Sequence, residues 1–96
     1  MEVAISRSSK KDKRLKAQFE NKVVHFGSKH GSTFIDHKDQ KVKAAWEARH
    51  RVREDWGNYE SAGALSKHLL WNKISLRASI NSLNRRQKKY RFILKM

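Results

Sequence analysis

The sequence predicts an α+β domain: an N-terminal β-hairpin or small antiparallel sheet followed by two to three α-helices. Three observations carry that expectation. Apolar residues alternate with polar ones over residues 14–19. From Asp36 onward they recur instead at spacings of three and four. No proline occurs anywhere to force a helix to stop.

The elements follow in order. "SRSSKKDKRLK" reads as a polar, cation-rich opening, and residues 1–12 are expected to form a basic arm. In "RLKAQFE", Leu15, Ala17 and Phe19 alternate with Arg14, Lys16 and Gln18, the period of a half-buried strand. "ENK" is the turn and "VVHFG" the antiparallel partner, ending at Gly27, although the Asn-Gly signal of a tight hairpin is missing. A short third strand at "STFI" would complete a three-stranded sheet, about the minimum for independent stability.

At Asp36 the pattern turns helical. Asp36 is the expected N-cap, with Asp39 in the first turn where a carboxylate favours the helix dipole. Val42, Ala45, Trp46, Arg49 and Val52 or Arg53 then share one thin stripe. "WGNYES" interrupts, Gly57 and Asn58 ending the run and Ser61 capping "AGALSKHLLWN", an apolar helix through Ala62, Leu65, His68 and Leu69. Ser75 caps a third helix with Leu76, Ile80, Leu83, Gln87 and Tyr90 on one face. The organisation expected is thus an arm over 1–12, one domain over 13–84 and a basic tail over 85–96.

Ninety-six residues make one small domain, and with 38% hydrophobic residues its core depends on bulky side chains. Trp46, Trp56, Trp71, Phe19, Phe26 and Phe34 are the expected core. The absence of cysteine excludes a disulfide framework and a Cys-based zinc site. No apolar run approaches bilayer length, and "MEVAISRSSKKDKR" lacks the hydrophobic segment of a signal peptide, so the expected setting is the inside of a cell or a particle built there.

Charge is the strongest functional clue. The chain carries a net +14 with a pI of about 10.6, whereas solubility alone is served by a magnitude of about 2–8 in a small domain. An anionic partner is therefore expected: nucleic acid, an acidic protein face or an anionic membrane. All nine acids lie between Glu2 and Glu60, and the nine Lys and Arg beyond Ser61 have no acid among them. Two clusters form the candidate anion- and partner-binding residues. One is Arg7, Lys10, Lys11, Lys13, Arg14 and Lys16; the other is Arg85, Arg86, Lys88, Lys89 and Arg91, interleaved with Tyr90 and Phe92. Tyr90 and Phe92 would either stack on bases or anchor the tail in a neighbour's pocket. No zinc-finger, ribonucleoprotein or basic-zipper motif accompanies them, so contacts would go to phosphates rather than base edges.

Neither metal nor catalysis is expected. The five histidines show no recurring ligand spacing, and in "DHKD" Asp36 is better employed as a cap. "GSKHGST" lacks the Gly-Lys-Ser/Thr ending of a nucleotide loop, and Ser28, His30 and Asp36 make a triad only on paper. The expectation is a non-enzyme with no cofactor, no metal and no small-molecule substrate.

"SRSSKKDKRLKAQF", "KVVHFGSKHGSTFIDHKD", "ARHRVREDW" and "AGALSKHLLWNKISLRASI" together resemble a family of small basic proteins of unknown function encoded by nucleocytoplasmic large DNA viruses, the algal and amoebal giant viruses among them. The likeness spans about residues 6–85 and transfers no assigned site residues. It implies a viral origin and no enzymatic activity, and it names the partners to consider: capsid proteins with acidic faces, packaged DNA, and the anionic inner membrane. The resulting expectation is a minor capsid or virion-associated structural protein that cements neighbouring subunits through cationic arms. It would reside in the virion and, during assembly, in host cytoplasm or nucleus. The alternative is a sequence-independent nucleic-acid-binding protein on the genome.

Overall fold

Strand β1 (Glu2–Arg7) begins the chain, and a computed structural model describes all of residues 1–96. Val3 and Ile5 are wholly buried while Ala4 and Ser6 between them are half-exposed, the alternation of a strand covered on one face. β2 (Lys13–Gln18) repeats it with Leu15 and Ala17, and β3 (Val23–Ser28) with Val24 and Phe26. The three form an antiparallel meander in which Ile5 lies opposite Ala17 and Leu15 opposite Phe26. After the helices, β4 (Arg91–Leu94) returns to pair parallel with β1, Val3 beside Phe92. The sheet order is therefore β3-β2-β1-β4.

Two expectations are overturned here. Residues 1–12 are not an arm: β1 is an interior strand, because Val3 and Ile5 bring apolar surface that the core takes up. Residues 85–96 are not a tail either. Tyr90 and Phe92 are 4% and 2% exposed, so they are core anchors of β4 and are not available to stack on bases or enter a neighbour. Both termini thus belong to the folded unit rather than flanking residues 13–84. Asn84 reinforces β4 from its open side, its amide accepting from the Phe92 N–H (2.8 Å) and donating to the Phe92 carbonyl (2.9 Å). That satisfies backbone groups an edge strand would otherwise leave unpaired.

The "STFI" segment is a helix start, not a strand. Thr33 precedes the single turn α1 (Phe34–His37), and the Asp36 carboxylate accepts from the Thr33 N–H at 2.7 Å. Lys38 then takes a left-handed conformation (φ 57°), and Asp39, not Asp36, caps α2 (Gln40–Arg51) by accepting from the N–H groups of Lys41 and Val42. Ser61 caps α3 (Ala62–Leu65), which runs on as a π turn over Ser66–Leu70 closed by the Trp71 N–H donating to the Ser66 carbonyl. Ser75 caps α4 (Leu76–Arg86). The helix stops at Arg86, and Gln87 instead braces the turn into β4, its side chain bonding both the N–H and the carbonyl of Tyr90.

The π turn has a packing consequence. It places His68, Leu69, Leu70 and Trp71 in succession against the interior, which a regular helix with one buried face would not do. Trp71 stacks on Trp46 of α2 with ring centroids 4.7 Å apart, and His50 stacks on Trp46 at 4.3 Å. Trp46 and Trp71 are buried as expected, whereas Trp56 is only partly so and lies parallel to Trp46 at 6.2 Å. α3 and its π extension pack on β3, and α4 on β4. The alternate residues of the strands, including Ala4, Ser6, Lys16 and His25, face away from that core on half-exposed positions.

Candidate polyanion-binding site

The first cation cluster occupies one end of the sheet. Arg7 ends β1, Lys10 and Lys11 sit in the β1–β2 turn, and Lys13, Arg14 and Lys16 belong to β2. The Lys29 N–H donates to the Asp12 carbonyl at 3.1 Å, so the β3–α1 loop is tied to that turn and adds Lys29 and His30 beside it. Arg7, Lys10, Lys11 and Lys29 are exposed. Arg14 is committed elsewhere: it grips both oxygens of Asp36 at 2.6 and 2.8 Å and donates to Thr33 Oγ1 at 3.1 Å. That guanidinium holds the Asp36 carboxyl well below the usual carboxylate range. Lys16 is not with its neighbours; it lies between Ser6 and His25 on the bare side of the sheet.

The second cluster stands at the other end of β1, where Arg91 pairs with Glu2. The length of the strand, roughly 17 Å for a span of this size, keeps the two clusters apart. Arg85, Arg86, Lys88, Lys89 and Arg91 are exposed. Arg86 donates to Nδ1 of the buried His68 at 2.9 Å, and Lys89 sits 5.4 Å above the Tyr90 ring. The Tyr90 hydroxyl donates to Glu60, which also pairs with Lys22 at 3.2 Å. Those contacts lower the Glu60 pKa and raise that of Tyr90. Only three ion pairs form in the molecule, made by Arg14, Lys22 and Lys67. Apart from Arg14, then, no residue of either cluster forms an ion pair with an internal carboxylate.

The histidines are dispersed: His25 is hydrogen-bonded to Ser8 at 2.7 Å, His37 Nδ1 accepts from the Asp39 N–H, and His68 lies between Trp56 and Arg86. Ser28 accepts from the His30 N–H, and Asp36 is occupied by Arg14 and Thr33.

One feature was not expected from the sequence. A cleft of about 530 Å³ opens between the β3–α1 loop, α2 and α3, with Lys13, Trp46, Arg49, His50, Glu54 and Gly63 in its wall. The Glu54 carboxylate takes part in none of the ion pairs and lies against Gly63, where a Cβ would stand 1.7 Å from its Oε2. Arg49, one turn beyond Trp46 on the same helical stripe, was the available signal: a cation within an apolar stripe marks the rim of a buried face.

No curated protein and no solved structure matches the chain. A family model does, and its match begins in β1, takes in the whole first cation cluster and ends at His50 of α2. With residues 3–50 matched, half of its length, the chain belongs to a family of unknown function, DUF5754.

Proposed function

We propose that the protein is a non-enzymatic module that binds nucleic acid without regard to sequence, through the cations at the Arg7 end of the sheet. One observation carries this reading. Lys10, Lys11 and Lys29 project from a turn and a loop joined backbone to backbone, with Lys13 at the adjoining start of β2, and none of them forms an ion pair. The segments that carry these charges are held together before a phosphate backbone arrives, and binding releases the counterions condensed on it.

A second reading rests on the division of charge between two ends of one rigid body. Such a body bridges two acidic neighbours, as a minor capsid or virion-associated protein would, with rigid faces in place of arms. The resemblance to proteins of large DNA viruses supports that reading and, with it, a location in the virion.

Fluorescence polarisation with labelled random-sequence oligonucleotides across a salt series separates the two. The nucleic-acid reading expects log K to fall linearly with log salt, and replacing Lys10, Lys11 and Lys29 by Gln to reduce the slope by roughly 0.7–0.9 per contact removed. Absence of binding at about 100 mM salt, or a slope indifferent to the triple substitution, would refute it.

A further inference from the structure

We propose that the cleft between α2, α3 and the β3–α1 loop takes one unstacked nucleotide. On this reading the module holds single strands in preference to duplex, and Glu54 selects bases that carry an exocyclic amino group. The proposal rests on the nucleic-acid reading above and deepens it by adding a base preference at this one position to phosphate contacts that are themselves indifferent to sequence.

Size is the first argument. At about 530 Å³ the cleft falls within the range of small-ligand sites, about 300–1,000 Å³. It suits one nucleotide unit and cannot admit a double helix. The wall is the second. Lys13 and Arg49 put cations at the cleft, from β2 and α2 respectively, and the partly exposed His50 ring, stacked on the buried Trp46, supplies an aromatic surface in the same wall. Cation beside aromatic is the combination single-strand-binding grooves use for phosphate and base.

Glu54 is the decisive element. In a chain of net charge +14, its carboxylate lies in a cleft with two cations yet forms an ion pair with neither. Such a group repels a phosphate and, being unpaired, is free to accept hydrogen bonds from the N–H donors of a base. A duplex brings phosphates to the surface and keeps its base edges paired, so Glu54 opposes it. A splayed base presents those edges. Cytosine and adenine offer an amino group, and guanine offers an N–H and an amino group side by side, matched to the two carboxylate oxygens. Uracil and thymine offer a single N–H between two carbonyls that the carboxylate repels. Gly63 makes the arrangement sterically feasible, since any larger residue would stand where the carboxylate now lies.

The test uses the full chain and its own tryptophan emission, titrated with GMP, CMP, UMP and inorganic phosphate, alongside competition between single-stranded and duplex oligonucleotides. GMP and CMP are expected to alter the emission saturably at concentrations at least about fivefold below UMP, and phosphate is expected to have no effect. Glu54→Gln should bring GMP and UMP within about twofold of each other without changing the melting temperature. Arg49→Gln should weaken all of them. Equal response to UMP or phosphate, a base preference surviving Glu54→Gln, or duplex competing as well as single strand would overturn the proposal. Silence towards every mononucleotide while salt-sensitive oligonucleotide binding persists overturns the cleft alone. Loss of oligonucleotide binding in the unaltered protein sinks the broader reading as well.

Discussion

Replacing Phe92 by Ala tests whether the C-terminal cations sit on a core strand or on a loose end. The Phe92 side chain is 2% exposed, beside Val3 in the parallel register and 6.0 Å from the Tyr90 ring. Truncating a buried Phe costs about 3–5 kcal/mol, from lost burial and from the void left behind. A domain of this size has a total stability of about 5–15 kcal/mol. Each kcal/mol moves its melting temperature by roughly 4–8 °C. The midpoint should therefore drop by at least about 12 °C, read by circular dichroism and by tryptophan emission in urea. Arg91→Ala, one residue away and exposed, should stay within about 0.5 kcal/mol of the parent. Deleting residues 88–96 removes β4 outright and should abolish cooperative unfolding. A Phe92→Ala protein melting within about 3 °C of the parent would refute the assignment of β4 to the core.

Three further outcomes are expected. Gly63→Ala drives a Cβ into the flexible end of Glu54; helix stability should hold or rise by up to about 1 kcal/mol, while any nucleotide preference in the cleft is lost, as thermal melts and emission titrations would show. Gly27→Ala should instead destabilise by more than about 1 kcal/mol in urea unfolding, because its φ of +79° is left-handed and a Cβ would stand 2.6 Å from Leu70 Cδ1. His68 donates from Nε2 to the Trp56 carbonyl and accepts from Arg86 at Nδ1, and burial, reinforced by Arg86, lowers its pKa below the ordinary 6.5. The folded state therefore resists a proton that the unfolded chain accepts. Stability present above about pH 6.5 should decline as the pH falls below it, and His68→Gln should flatten urea midpoints measured between about pH 7 and 5.5.

The α+β class was legible because β2, β3 and α2 each hold one period long enough to read, and because Ser61 and Ser75 cap the helices that follow them. β1 was hidden by its shortness: Val3 and Ile5 are only two apolar side chains ahead of a run of cations. β4 had a signal, since Tyr90, Phe92 and Leu94 alternate with Arg91 and Ile93, but the surrounding charge made the stretch look solvated. A strand at the edge of a sheet tolerates such neighbours because its other face meets water. At "STFI" the β-branched residues suggested a strand, while Thr33 and Asp36, three apart, spelled a helix start. The first cation cluster survives as a surface without Arg14, which is committed to Asp36, and Lys16, which lies on the bare side of the sheet. The cleft could not be read, since Lys13, Arg49, Glu54 and Gly63 converge only through the tertiary fold.

The pairing of Glu2 with Arg91 also governs when the molecule becomes itself. Of the four strands β1 is synthesised first and its flanking partner β4 last, with every helix in between. Throughout the interval β1 has a neighbour on one side only, and its other backbone groups wait in water. Closing so long a loop makes the final register slow to form. The sheet is thus completed only after all the helices between its two parallel strands have been made.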